Sequence, residues 1–180
     1  MIKKYSTYDL PSKLPIFPLP GAIILPSGSL PLNIFEPRYV AMVEEVLGKH
    51  RMIGMIQPLT SSEASSEDIY PVGCAGKITS FTETSDGRYL LELSGILRFR
   101  VKKELDLING FRNIIPDWQP FLSDLEEDKK NVDISELLTQ LQTYFDKNNI
   151  NVDFSEISRI SPIQILASIP QICSFKPNEK

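Results

Sequence analysis

The segment over residues 14–39 constrains the fold of this chain most, because proline-broken apolar runs lead directly into a helix start there. Its sequence is LPIFPLPGAIILPSGSLPLNIFEPRY. Since proline cannot donate a ladder hydrogen bond, a strand over residues 14–19 must lie at a sheet edge or be irregular. Pro20-Gly21 indicates a turn, and the apolar residues 22–25 (AIIL) predict a short buried strand after it.

A helix is predicted to begin at Glu36-Pro37, because proline at the first helical position has no N–H to leave unpaired. The helix should run to about Leu47, with Gly48 as the C′ residue that ends it. Extended, largely apolar segments dominate the next part of the chain and predict further strands. These cover residues 30–34 before the helix, then 52–57, a hairpin of 72–84 and 88–94 around the turn Asp86-Gly87, 97–102 and 111–116.

The hydrophobic period changes from two to about 3.6 after a charge run at residues 124–130. Three helices are predicted beyond it: residues 134–145 with Asp133 as N-cap, residues 154–160, and one opened by Ser161-Pro162. Strands followed by helices indicate an α+β chain. We therefore expect a β-rich domain over residues 1–123 and a helical subdomain over residues 131–180, with a polar surface loop at residues 58–70.

Four short stretches, in a fixed order, carry a resemblance to a known family. They are IFEPRY (residues 34–39), YPVGCAGKI (70–78), DGRYLLEL (86–93) and SGILRFR (94–100). With them the chain resembles the substrate-binding domain of the ATP-dependent protease Lon, a module that also occurs as a free-standing bacterial protein. The resemblance implies a PUA-like distorted β-barrel of about six strands with one early helix, followed by a C-terminal helical bundle.

The resemblance implies a non-catalytic module that binds unfolded or degron-bearing polypeptides, with a protease or chaperone as a further partner. The chain has no GxxxxGK[ST] phosphate loop and lacks the domain that carries the serine–lysine pair of the Lon peptidase. We therefore expect no catalytic residues, no metal ligands and no cofactor. Its last residues, FKPNEK, resemble the first turn of a further helix in the family, which should leave Ile163, Leu166 and Ile169 exposed on the helix before it.

Three residues around the early helix start are the candidate polypeptide-binding site: Phe35, Arg38 and Tyr39. Arg38 is either an anion-binding side chain or a salt-bridge partner that fixes the helix to the sheet. Phe35 and Tyr39 either line a groove for apolar peptide segments or belong to the core.

A second candidate surface is cationic, because apolar and basic residues alternate strictly over residues 97–102. Arg98, Arg100 and Lys102 form its charged side, with Lys103 next to it. They predict either a face for an acidic partner or RNA, by analogy with PUA domains, or a solvated face that discourages edge pairing. The formal net charge of −4, from 19 basic and 23 acidic residues, opposes general binding to nucleic acid.

The remaining chemistry-bearing residues predict no enzyme. Cys74 and Cys173 fit no zinc spacing and are expected to be buried reduced thiols, and His50 is expected to be a capping or surface residue. A small-molecule pocket, as in cereblon-type relatives, stays open, although Trp118 is the only tryptophan available for a cage. The chain shows no 18-residue apolar span, so we expect a cytoplasmic protein; its oligomeric state is open.

Overall fold

The computed structural model of the chain describes residues 6–59, 68–126, 133–150, 157, 160–173 and 175–176. Within them lie the strands β1 (Leu14–Pro18), β2 (Ser29–Ile34), β3 (Met52–Ile56), β4 (Val72–Glu83), β5 (Tyr89–Ile108) and β6 (Phe111–Asp117). The α-helices are α1 (Pro37–Leu47), α2 (Ser135–Lys147) and α3 (Pro162–Ile172). Short 3₁₀ helices cover Thr7–Asp9 and Gln119–Leu125.

The six strands form one sheet in the order β2-β5-β4-β3-β1-β6, with a further pairing of β5 with β6. This is possible because β5 is 20 residues long. Its first half pairs with β2 and β4, and its second half pairs with β6. The strand count agrees with the prediction, but the sheet is not a clear barrel.

Strand β1 lies between β3 and β6, so the edge position, one of the two predicted alternatives, is wrong. The two neighbours are staggered: β6 pairs with the residues from Leu14 to Ile16, and β3 pairs with those from Ile16 to Pro18. Each proline therefore falls where only one neighbouring strand is present, and its missing N–H breaks no ladder bond.

Residues 22–25 are not the strand that their apolar sequence predicts. They form an irregular segment in which Ile24 is nevertheless buried. The carboxamide of Gln57 occupies the backbone groups before it, accepting from Gly21 N–H at 3.0 Å and donating to the Ala22 carbonyl at 2.8 Å. The segment is thus held against β3 by a side chain rather than by a ladder.

Two apolar clusters bury the two faces of the sheet. The larger includes Phe17, Met42, Val43, Val46, Leu93 and Phe111, and packs α1 onto the sheet. The smaller comprises Leu14, Ile16, Met52, Ile56, Ala75, Phe99 and Ile114. Neighbouring residues of β1 divide between them, Ile16 in one and Phe17 in the other, as the two-residue period of a strand requires.

Helix α1 begins at Pro37 as predicted, with Glu36 as N-cap. Gly48 follows it as a C-cap in the right-handed region, at φ −77°, so the helix does not end on the left-handed glycine that the sequence suggested. The left-handed residue nearby is Arg51, at φ 59°, and it leads directly into β3.

The helices α2 and α3 share a third apolar cluster, centred on Leu141, Phe145, Ile165 and Cys173. The predicted Ser161 cap on α3 is confirmed, because its hydroxyl accepts from Gln164 N–H. The predicted N-cap Asp133 of α2 is wrong, because Ile134 is the N-cap; Asp133 lies one residue before it and accepts from Ser135 N–H at 3.0 Å. A helical bundle is not confirmed by these two helices.

The observed exposure of side chains on α3 agrees only partly with the prediction: Leu166 is exposed, whereas Ile163 and Ile169 are half-buried. Several predictions lie outside the described residues. They are most of the loop at 58–70, most of the helix at 154–160, and the chain end from residue 177. The domain division at residues 123 and 131 stays a prediction.

Candidate functional site

The start of α1 brings the first predicted set of site residues together. Phe35 is 63% exposed, although it directly follows a strand whose other apolar side chains are buried. Its ring lies 5.8 Å from the Arg88 guanidinium, on the turn that joins β4 to β5. Apart from this cation, the ring is a large apolar surface exposed to solvent.

Arg38 forms an exposed ion pair two residues back along the chain, with Glu36 at 2.8 Å. The hydrogen bond to Glu36 raises the pKa of Arg38, and its guanidinium lies 5.2 Å from the Tyr39 ring. On its other side it meets the turn between β5 and β6, since a Cβ added to Gly110 would lie 3.3 Å from the Arg38 Cβ. Arg38 is therefore neither a free anion-binding group nor buried.

Tyr39 belongs partly to the core, because its ring packs against Phe17 at a centroid distance of 4.1 Å. Burial raises the pKa of its hydroxyl, against the lowering effect of the Arg38 charge. Phe35 and Tyr39 therefore differ: the first offers its ring to solvent, whereas the second mainly fixes α1 to β1.

The cationic side of β5 is only partly free. Arg98 binds Asp124 through three hydrogen bonds, from its backbone N–H at 3.0 Å, from Nε at 2.9 Å and from Nη2 at 2.7 Å. The Arg98 guanidinium also lies 4.8 Å from the Phe121 ring. Arg100 and Lys102 are exposed on the same side, so the structure does not present the three cations as one equivalent set.

A cavity of about 430 Å³ lies beside Arg98, between the irregular segment and the start of β4. Its lining is mostly apolar and comes from three separate parts of the chain: Ala22, Ile23, Ile24 and Leu25; Met55, Ile56 and Gln57; and Tyr70, Pro71, Val72, Gly73 and Cys74, with Arg98 completing it. Sequence reasoning missed this site, because each stretch alone reads as core. The signal that could have found it is the AIIL run, which is apolar yet follows a Pro-Gly turn.

Glycine at two positions gives the cavity its shape. A Cβ on Gly73 would lie 2.5 Å from the Met55 carbonyl oxygen and 2.6 Å from the Phe99 ring. A Cβ on Gly95 would overlap the Leu25 carbonyl oxygen. The irregular segment therefore approaches β5 as closely as it does only because residue 95 has no side chain.

The charged groups beside the cavity balance each other. Burial alone would raise the pKa of Asp124, but the hydrogen bonds from Arg98 outweigh it and hold that pKa below its usual value. Burial raises the pKa of the Cys74 thiol, which keeps it protonated and unreactive. Both cysteine thiols are buried, as predicted.

Among the described residues, no group of three or more His, Cys, Asp or Glu side chains is placed to hold a metal ion. His50 is half-buried, and its Nδ1 accepts from Met52 N–H at 3.0 Å, which fixes the ring as a local structural group. The arrangement is therefore suited to binding: an apolar cavity, an exposed aromatic side chain and a neutralised ion pair.

Fold and cavity together define a small β-sheet domain with a mostly apolar cavity. The family model of the ATP-dependent protease La (LON) substrate-binding domain matches residues 13–179. The chain belongs to this family.

Its relatives include whole proteases. The chain is 31% identical to Lon protease 2 of Sorangium cellulosum over 97 residues, which are 52% of this chain and 12% of that protein. It is 26% identical to the Lon protease of Desulfosudis oleivorans over 160 residues, which are 87% of this chain and 18% of that protein. The chain thus spans less than a fifth of the length of either protease.

Solved structures support the same fold. A Lon N-terminal domain protein from Xanthomonas campestris is 25% identical, with a TM-score of 0.55 over 73% of this chain and 72% of that one. The N-terminal domain of the Mycobacterium avium complex Lon protease has a TM-score of 0.56 at 12% identity, over 93% of this chain and 86% of that one. The second likeness shows the fold alone. In the described part of this chain, no helix has the length and apolarity to cross a membrane.

Proposed function

We propose that this chain is a non-catalytic substrate-recognition module that binds exposed polypeptide segments of other proteins. The observation that carries the proposal is the match to a substrate-binding domain over residues 13–179. The apolar cavity beside β4 supports it, because ligand sites are typically concave and apolar, with volumes of about 300–1,000 Å³. The relatives are proteases, and a protease or chaperone that receives the bound client is part of the proposal.

The exposed surface at the start of α1 is the proposed first contact for a client. Phe35 offers an apolar ring, and Arg38 adds a planar cation that stacks on aromatic groups. Leu107 and Ile108 are also exposed, on the hairpin whose turn reaches Arg38. These side chains suit an unfolded chain, which presents apolar residues that a folded protein buries.

We also propose that the sheet is a distorted PUA-like barrel, since β5 pairs with β6 at the far end of the strand order. A PUA-like fold does not by itself argue for RNA binding. The ion pair of Arg98 with Asp124 and the formal net charge of −4 both weaken that alternative.

The test is a fluorescence-anisotropy titration against a labelled, permanently unfolded polypeptide and a labelled single-stranded RNA, at low and moderate salt. We expect saturable polypeptide binding that persists at moderate salt, and weaker binding by Phe35→Ala. Tyr8→Ala is the matched control, because Tyr8 is 97% exposed and lies on a different surface element.

No binding of the unfolded polypeptide at high micromolar protein would contradict the proposal. RNA binding that falls steeply with salt would instead assign the function to Arg100 and Lys102, because release of counterions makes phosphate contacts salt-dependent.

A further inference from the structure

We propose that the cavity beside β4 is a receptor for one large, uncharged side chain of an extended polypeptide. This inference rests on the proposed function and gives it a specific site, separate from the exposed surface at Phe35. Four observations carry it: the volume and lining of the cavity, its charge balance, the unpaired backbone of its wall, and the way that wall is held.

The lining selects for apolar groups. Its apolar lining residues include Ile23 and Ile24 from the irregular segment, Met55 and Ile56 from β3, and Val72 from β4. The volume of about 430 Å³ exceeds what a single water needs and falls in the range of ligand sites. Methionine in the lining suits side chains of different shapes, because its thioether is flexible and polarisable.

The charge balance excludes ionised ligands. Among the described residues, Arg98 is the one charged residue in the lining, and its guanidinium already donates two hydrogen bonds to Asp124. An acidic side chain entering the cavity would compete with Asp124, and a basic one would meet the guanidinium. Either would lose its hydration without gaining a free partner.

Ile23 and Ile24 in the wall lie outside the strands, so their backbone N–H groups take part in no ladder. In the part of the chain that the structure describes, the N–H groups of Ile23 and Ile24 donate no hydrogen bond, although Ile24 is only 1% exposed. Buried backbone groups are nearly always paired. The main chain of an extended polypeptide carries donors and acceptors that could pair with them, as in recognition by strand addition. A purely apolar small molecule carries none, and this favours a polypeptide as the occupant.

The wall is also held in place before any ligand arrives. Gln57 fixes its first residues through both ends of its carboxamide. At its other end, Ser27 N–H donates to the Gly95 carbonyl at 3.0 Å, and Gly95 N–H donates to the Gly28 carbonyl at 2.8 Å. A preformed site lowers the entropic cost of binding.

Methyl NMR on the full chain with labelled methionines tests the inference. Met55 belongs to the larger core cluster and also lines the cavity, whereas Met42 and Met52 are buried in the two core clusters away from the cavity lining and serve as internal controls. The ligands are capped glycine pentapeptides with a central phenylalanine or a central aspartate, and toluene as the small-molecule comparison. We expect the phenylalanine peptide to shift the Met55 resonance saturably, with an affinity higher than that of the aspartate peptide by about tenfold or more.

Two variants fill the cavity from different sides, Ala22→Trp and Val72→Phe, and each should abolish the Met55 shift. Unchanged Met42 and Met52 resonances show that a variant is folded. If one variant does not fold, the other alone is sufficient for the test. Tyr8→Ala, on an exposed element outside the cavity, should leave the pentapeptide response intact.

Several outcomes would overturn the inference. One is equal response to both peptides, and another is a response to toluene without one to the phenylalanine peptide. Binding of the unfolded polypeptide with an unmoved Met55 resonance would overturn the cavity as receptor and leave the proposed function standing. Absence of polypeptide binding together with an unmoved Met55 resonance would overturn both.

Discussion

Replacing Asp124 by asparagine should destabilise the fold, because this carboxylate ties the 3₁₀ segment Gln119–Leu125 to β5. Asp124 is 9% exposed and Arg98 is 44% exposed, so the pair lies between a surface and a buried ion pair. Removing one partner of a fully buried pair costs about 3–5 kcal/mol, whereas exposed pairs contribute about 0–1 kcal/mol. Asparagine keeps one acceptor oxygen, and solvent screens the Arg98 end. We therefore expect Asp124→Asn to cost about 1–2 kcal/mol.

Urea unfolding followed by tryptophan fluorescence measures this effect directly. Trp118 is the only tryptophan; it precedes the 3₁₀ segment, and its ring contacts Phe99 at a centroid distance of 6.0 Å. With an m-value of about 2 kcal/mol/M, the midpoint should fall by about 0.5–1 M urea. Asp86→Asn is the matched control, because Asp86 forms an ion pair with Arg88 in which both side chains are more than half exposed; it should leave the midpoint unchanged.

The mechanism itself is tested by a double-mutant cycle with Arg98→Gln. If the two side chains act through each other, the double variant should be less destabilised than the sum of the single variants by about 1 kcal/mol. The stability due to the lowered pKa of Asp124 should be present above the unfolded carboxyl pKa of about 3.9 and disappear as the pH falls below it. Additive effects, or a midpoint for Asp124→Asn equal to that of the parent chain, would refute the reasoning.

Two further predictions concern backbone contacts. Gly95→Ala should lower the free energy of unfolding in urea by about 1–3 kcal/mol, because its Cβ would overlap the Leu25 carbonyl. Gly48→Ala is the control and should leave this free energy unchanged, since Gly48 has open space around it. Equal effects of the two variants would argue against the close approach of Leu25 to Gly95. Burial and nearby lysines lower the pKa of His50, and its neutral Nδ1 accepts from Met52 N–H. Stability should therefore fall as the pH drops from about 6.5 toward the folded-state pKa. His50→Gln should remove that loss, and an unchanged pH profile in the variant would exclude this role.

Local patterns predicted much of the fold, because they depend on neighbours in the chain. Proline after Glu36 marked the start of α1, and the alternation over residues 97–102 marked part of β5. Its full length was not predictable, since Gly95 interrupts the apolar pattern. Only the packing of Leu25 against that glycine shows why the strand continues through it.

The candidate site was less predictable, because its properties depend on residues far apart in sequence. Arg98 reads as a solvent-facing cation until Asp124 is placed against it, 26 residues later. The irregular course of residues 22–25 depends on the carboxamide of Gln57, 35 residues beyond Ala22. Periodicity carries no information on such pairs, and Arg98, Gln57 and Ala22 all line the cavity.

The pairing of β1 with β6 has a consequence for synthesis on the ribosome. Leu14 pairs with Ile114, so the antiparallel partner of β1 is made one hundred residues after it. At about 5–20 residues per second, the first strand waits roughly 5–20 s for that partner. During this time an apolar segment of the nascent chain is accessible to strands of neighbouring nascent chains. Pro15 and Pro18 each remove one backbone hydrogen-bond donor from this segment. The folded protein tolerates them because of the staggered pairing, and in the nascent chain they weaken premature association with other chains.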